Sequence, residues 1–251
     1  MIAVWFSCGA ASAAALKLTV EKYGRDQVRA VNQPIAEEHP DNRRFCREIS
    51  EWAGVEIEEY TASKYPTGSC VDVWDRRGAM VFPAGAPCTV HLKKEARQEW
   101  EAINRPDWHV LGFTAEERKR HERFVHTERE NVLPVLIDAG MGKADCADLI
   151  RSQGIRLPAI YDQGFPNANC IGCVKATSPT YWNLVRREFP DVFAARAEQS
   201  RRLGARLVRV NNERIFLDEL DPAAKGAPLW KMPPCSLFCE EWTPPQQETA
   251  S

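Results

Sequence analysis

The sequence predicts an α/β protein: a doubly wound, mostly parallel sheet of five strands with helices on both faces. Three observations predict it. The chain opens with a short apolar run, Ile2 to Phe6, that stops at Ser7-Cys8-Gly9 and passes at once into an alanine-rich segment of high helix propensity. Further apolar runs, at Val28 to Asn32, Val55 to Tyr60, Trp108 to Phe113 and Val132 to Ile137, alternate with amphipathic segments. With 251 residues, 44% of them apolar, the chain is long enough to cover such a sheet on both faces.

The first strand and helix meet at a turn that has the properties of an anion site. The opening N–H groups of a helix have no intrahelical partners, and the helix dipole adds partial positive charge there. Ser7 and Ser12 bring hydroxyls, and Gly9 allows close approach. Gly and Ser also serve ordinary turns and caps, so the turn alone leaves both readings open.

The second strand ends at Val31-Asn32 and runs into a polar loop, Ile35 to Asn42. Asp41 or Asn42 can cap the next helix, while Glu38 and His39 are candidates for the ligand cleft, because α/β sheets bind ligands beyond the carboxyl ends of their strands. Pro87 suits the first turn of a helix; Cys88 beside it, and Lys93 and Lys94 beyond, serve either as packing and surface charge or as site residues. After Gly112, Thr114 and Glu117 stand at capping-box spacing. Arg118, Arg120 and Arg123 form an exposed basic face or a phosphate contact.

Nine cysteines are many for a chain with no basic leader and no apolar run of membrane-spanning length, features that point to a cytoplasmic protein that does not engage a membrane. Cys170-x-x-Cys173 lies in a loop rich in Gly and Asn, which makes it half of a tetrathiolate site; Cys235 and Cys239 form a second pair. Zinc and an iron–sulfur cluster fit that count equally. Cys46, Cys70 and Cys146 read as packing residues or incidental thiols, and so does Cys8, although its backbone lies in the first loop. The net charge of −2 gives no polyelectrolyte character, which leaves nucleic acid only as a candidate substrate.

Taken in order, these segments resemble the phosphoadenosine-phosphosulfate (PAPS) reductase family of the adenine-nucleotide alpha-hydrolase (PP-loop) superfamily, including its divergent phage-type members. The resemblance covers about residues 1–175. Ser7-x-Gly9-x-x-Ser12 is similar to the S-G-G-x-D-S pyrophosphate loop, with Ala11 where the family has its acidic residue. Cys88-Thr89 with Lys93 is similar to the C-C-x-x-R-K of cluster-bearing members, and Gly112, Glu117 and Arg120 match a further family helix.

The resemblance implies an adenine nucleotide, ATP or PAPS, bound by Ser7, Cys8, Gly9, Ser12, Asn32, Glu38, His39, Lys93 and Arg120, with magnesium as a candidate companion. It also implies a 4Fe–4S cluster, or zinc in the alternative, on Cys170 and Cys173 with two ligands from Cys88, Cys235 and Cys239. A sulfur- or electron-donor protein is then a candidate partner. The expected activity is sulfonucleotide reduction or ATP-dependent sulfur transfer, with a zinc-stapled nucleotide-binding module as the non-enzymatic alternative. The reductase's terminal E-C-G motif is missing, and Cys239-Glu240 is its nearest counterpart. Beyond the core, helices around Pro179 to Leu203 and a hairpin turning on Asn211-Asn212 make residues 176–242 a cap that delivers Cys235 and Cys239, ahead of a disordered tail at 243–251.

Overall fold

Along the first strand, successive side chains point to opposite faces, and both sets are apolar, as a strand buried on both sides requires. The computed structural model describes residues 1–83 and 85–229. In it β1 (Ile2–Phe6) sends Ile2, Val4 and Phe6 into one core and Ala3 and Trp5 into another. Five parallel strands stand in the order β3-β2-β1-β4-β5, with β2 at Val28–Asn32, β3 at Ile57–Glu59, β4 at Trp108–Val110 and β5 at Val132–Leu133. Phe6 pairs with Asn32 on one side of β1, and Val4 with Val110 on the other. The chain therefore leaves β1 toward opposite edges, which makes the gap between the carboxyl ends of β1 and β4 the switch point of a doubly wound sheet.

Helices α1 (Ala10–Tyr23), α2 (Asn42–Ala53), α6 (Val135–Asp138) and α7 (Lys143–Ser152) cover the face of Ile2 and Val4. Helices α4 (Ala96–Asn104) and α5 (Arg118–Thr127) bring Trp100 and Phe124 to the other face. The alanines of α1 are buried all round because that helix is packed against both the sheet and α7, and small side chains let backbones come close.

Three strands are shorter than the sequence predicts, and the first of them, Val55 to Tyr60, yields only Ile57–Glu59. Val132 to Ile137 yields only Val132–Leu133, because Pro134 has no N–H for a ladder and its carbonyl instead accepts from Asp138 N–H (2.8 Å) as α6 begins. Trp108 to Phe113 stops at Val110, and Leu111 and Gly112 turn out over the end of β1.

A third core holds helix α3 (Cys70–Arg77), α8 (Pro179–Glu188), α9 (Pro190–Arg202) and the hairpin of β6 (Val208–Val210) and β7 (Glu213–Ile215). The hairpin turns on Asn211 and Asn212 at φ 48° and 67°, the left-handed pair of a type I′ turn. Tyr65, Trp74, Tyr181 and Trp182 fill this core, and the Trp182 indole N–H donates to the Ala176 carbonyl at 2.8 Å. No helix among the described residues is long and apolar enough to cross a membrane. Cys235, Cys239 and the segment 243–251 lie outside the described residues.

Candidate functional site

The turn after β1 is strapped by its own serines. Ser7 N–H and Oγ–H both reach Ser12 Oγ (3.1 and 3.2 Å), and Ser12 Oγ–H donates to the Gly9 carbonyl (2.9 Å). Gly9 stands at the N-cap of α1 with no side-chain cap; the Ala10 N–H lies against the Tyr161 hydroxyl, and those of Ala11 and Ser12 have no intrahelical partner. Cys8 takes φ 55°, a left-handed conformation uncommon for cysteine, and turns its thiol away into the core. There it meets Asn32, whose Nδ2 donates to the Phe6 carbonyl (2.9 Å) and lies 3.6 Å from the sulfur. Asn32 thus supports the loop from beneath.

Over the switch point lies a cavity of about 410 Å³, within the range of small-molecule and cofactor sites. Ser7, Gly9, Ser12 and Arg120 line it, as do Gly112 and Glu117. Trp5, Leu111 and Phe113 give it apolar walls. Arg120 pairs with Glu117 and stacks over the Phe113 ring at 5.1 Å. Glu117 in turn accepts from Thr114 N–H (3.3 Å), closing the capping box.

Lys143 and Arg151 add positive charge from the flank of α7, whose opening N–H groups at Gly142 and Lys143 are taken by Asp145 (2.8 Å) and Glu116 (3.2 Å), so the helix N-terminus offered to the cavity is that of α1. Beside the start of α1 is Tyr161, whose hydroxyl lies against the backbone N–H groups of Ala10 and Ala168. Burial pushes that phenol's pKa up and keeps it a donor.

The sequence reading missed Tyr161, Lys143, Arg151 and the wall Pro166–Asn169, which come from positions more than a hundred residues beyond the loop. Their one signal is the polar, Gly- and Asn-rich run from Tyr161 to the C-x-x-C. Cys8, Asn32, Glu38, His39 and Lys93 stand outside the cavity lining. Glu38 is buried, its Oε1 3.7 Å from Lys93 Nζ and its Oε2 accepting from Asn42 (3.2 Å). Burial raises its pKa and Lys93 opposes that shift. His39 Nδ1 accepts from Asp41 N–H (3.1 Å), and its ring meets Phe189. Asp41 caps no helix N–H with its side chain; it binds Arg44 and accepts from Ala159 N–H, and the Arg44 guanidinium brings its pKa down to about 2.

Past the cavity wall the chain enters the thiols. Asn169 leads into Cys170, and Cys173 follows in the same turn, its N–H donating to Tyr181 Oη at 2.8 Å. Cys88 sits one residue ahead of a π-helical stretch, Thr89–Glu95, and Cys70 opens α3. The Cys70 thiol lies against those of Cys170 and Cys88, contacts that push its pKa up, while contact with Cys70 pulls that of Cys88 down with help from Lys93 and Lys175. Cys70 is therefore part of a thiol group, where the sequence reading gave it a packing role.

Among the described residues, no three His, Cys, Asp or Glu side chains already stand in the arrangement of a metal-ion site. Thiol ligands take their spacing from the group they bind, and a formed site is rare without it. The donor set fits a thiolate-bound group: Cys70, Cys88, Cys170 and Cys173 belong to one apolar cluster, with two lysines near Cys88 to offset thiolate charge.

The chain matches no family model and no curated protein.

Proposed function

We propose that this chain is an adenine-nucleotide-binding enzyme of sulfur chemistry, of the PAPS reductase kind, with a thiolate-held iron–sulfur cluster beside its nucleotide. The observation that carries the reading is the segment Pro166–Asn169, which lines the anion-ready cavity and runs without interruption into Cys170. A polyanion is supported by Arg120, Lys143, Arg151 and the N-terminus of α1, and the lining carboxylate Glu117 is already engaged by Arg120. Trp5, Leu111 and Phe113 suit the face of a purine.

In this reading Ser7, Ser12 and the opening N–H groups of α1 hold the phosphates, and Arg120 and Lys143 neutralise charge that builds up as the terminal group leaves. Tyr161 keeps its proton at the mouth of α1 and donates it as a hydrogen bond. When bound, the cluster supplies a polarising, redox-active neighbour. ATP-dependent sulfur insertion into nucleic acid is the second reading. The carboxylate lost at Ala11 counts against it.

Gly9 provides the test. A Cβ added there would meet Tyr161 Oη at 3.5 Å and Ser7 Oγ at 3.8 Å, ordinary contacts with two cavity residues, so a side chain enters the cavity without forcing the backbone. Titration calorimetry with ATP and with PAPS should show binding to the wild type and its loss in Gly9→Val, with an unchanged melting temperature. Equal affinity in the variant, or no binding of either nucleotide by the wild type, would overturn the site. Preference for PAPS over ATP selects reduction, and the reverse selects sulfur insertion.

A further inference from the structure

Three thiols of the group come from the Cys88 segment and the C-x-x-C turn, which leaves a fourth position to be filled. The position of Cys70 fills it. Helix α3 begins at Cys70, and its first turn is held by Ser69, whose Oγ accepts from Val71 N–H at 3.1 Å, and by Glu37, whose carboxylate accepts from Cys70 N–H at 2.8 Å and Ser69 Oγ–H at 2.7 Å. The carbonyl of the same Glu37 accepts from Ile171 N–H at 2.9 Å, inside the C-x-x-C turn. One residue therefore fixes the backbone on both sides of the thiols and brings Cys70 against Cys170.

A second observation is independent of those contacts. The Trp74 indole N–H, one turn along α3 from Cys70, is buried without a hydrogen-bond partner and lies against the Cys88 sulfur. A sulfur that carries negative charge accepts from such a donor better than a neutral thiol does. N–H groups aimed at ligand sulfurs are a means by which proteins tune thiolate-bound clusters.

We propose that Cys70, and neither Cys235 nor Cys239, is the fourth thiolate of a 4Fe–4S cluster held with Cys88, Cys170 and Cys173. The identity of the group rests on the functional reading above, whereas the ligand set rests on the contacts alone. On loading, each thiol gives up its proton to solvent and forms one sulfur–iron bond, and ferric and ferrous iron in equal amounts with sulfide supply a core of two ferric and two ferrous irons without a further oxidant.

The test uses the full chain, reconstituted anaerobically with ferric and ferrous iron in equal amounts and with sulfide. Wild type, Cys70→Ser, Cys146→Ser and the double variant Cys235→Ser/Cys239→Ser are compared for iron, acid-labile sulfide and the broad absorbance near roughly 400 nm. Wild type, the double variant and Cys146→Ser are expected to hold about four irons each, and Cys70→Ser to lose most of its iron and colour. Should Cys70→Ser fail to fold by circular dichroism, alkylation of loaded wild type followed by mass spectrometry gives the same answer without a mutation: Cys70, Cys88, Cys170 and Cys173 protected, Cys235 and Cys239 labelled. A cluster that survives in Cys70→Ser but not in the double variant, labelling of Cys70 in loaded protein, or a wild type that takes up no metal would each overturn the assignment. One zinc in place of iron, with the same four cysteines protected, would remove the iron–sulfur reading and leave the ligand set standing.

Discussion

At the scale of single residues, Gly112 obeys a stricter constraint than Gly9, where an added Cβ makes only ordinary contacts. A Cβ at Gly112 would lie 2.8 Å from Ser12 N and 3.0 Å from Ala11 C, so backbone meets backbone and neither can yield like a side chain. Gly112→Ala should therefore cost roughly 1–3 kcal/mol, as overpacking does, and weaken nucleotide binding by shifting the phosphate turn; a denaturant midpoint equal to wild type would refute the contact. A second residue, His109, sits beneath the sheet between Trp5, whose indole N–H donates to Nδ1 (3.1 Å), and the Arg129 guanidinium, 2.7 Å from Nε2. Burial, with Arg129 and Arg97 close by, lowers its pKa to about 3. The unfolded chain binds this proton below a pH of about 6.5, and the folded chain only below about 3, so stability is complete at neutral pH and falls as the pH drops through that window. Between a pH of about 7 and about 5 the loss should be about 2 kcal/mol. His121, lowered mainly by burial, adds a change of the same sign. Chemical denaturation at the two pH values should show a smaller difference in His109→Gln than in wild type.

At the scale of elements, what could be read in the sequence depended on how local its cause was. The β1 turn, the capping box at Thr114 and the Asn211-Asn212 hairpin each rest on neighbours in sequence, and each stands where expected. Strand β5 was overread because an apolar run does not distinguish a strand from the buried four-residue helix α6, and Pro134 decided between them. Tyr161, Lys143 and Arg151 escaped notice for another reason: a lone Tyr, Lys or Arg carries no pattern, and the packing of α1 on α7 is what brings Lys143 and Arg151 to the cavity. Cys70 is the instructive case. It lies far from any cysteine pair and directly after a helix-capping serine, so its local signal is that of a cap; the contact with Cys170 arises from Glu37, which binds α3 and the C-x-x-C turn together.

For the whole molecule, the cavity and the thiols belong to different cores that share a boundary. The cavity stands on the sheet and α1, while the thiols stand in the core of α3, α8, α9 and the hairpin; Tyr161 packs against both cores, and the segment Pro166–Asn169 runs from one to the other. Ordering this segment by filling either site should lower the cost of filling the other, and thermodynamic linkage requires the same factor in both directions. Loaded protein should therefore bind its nucleotide more tightly than protein stripped by a chelator, by about fivefold or more, the lower end of ordinary coupling energies. Hydrogen exchange locates the cause: nucleotide should slow exchange at residues 166–171 even in stripped protein, and the metal-bound group should slow it across α3 and α8. Identical nucleotide affinities in the two forms, with protection confined to each core, would show that the boundary transmits nothing and that the two sites only happen to be neighbours.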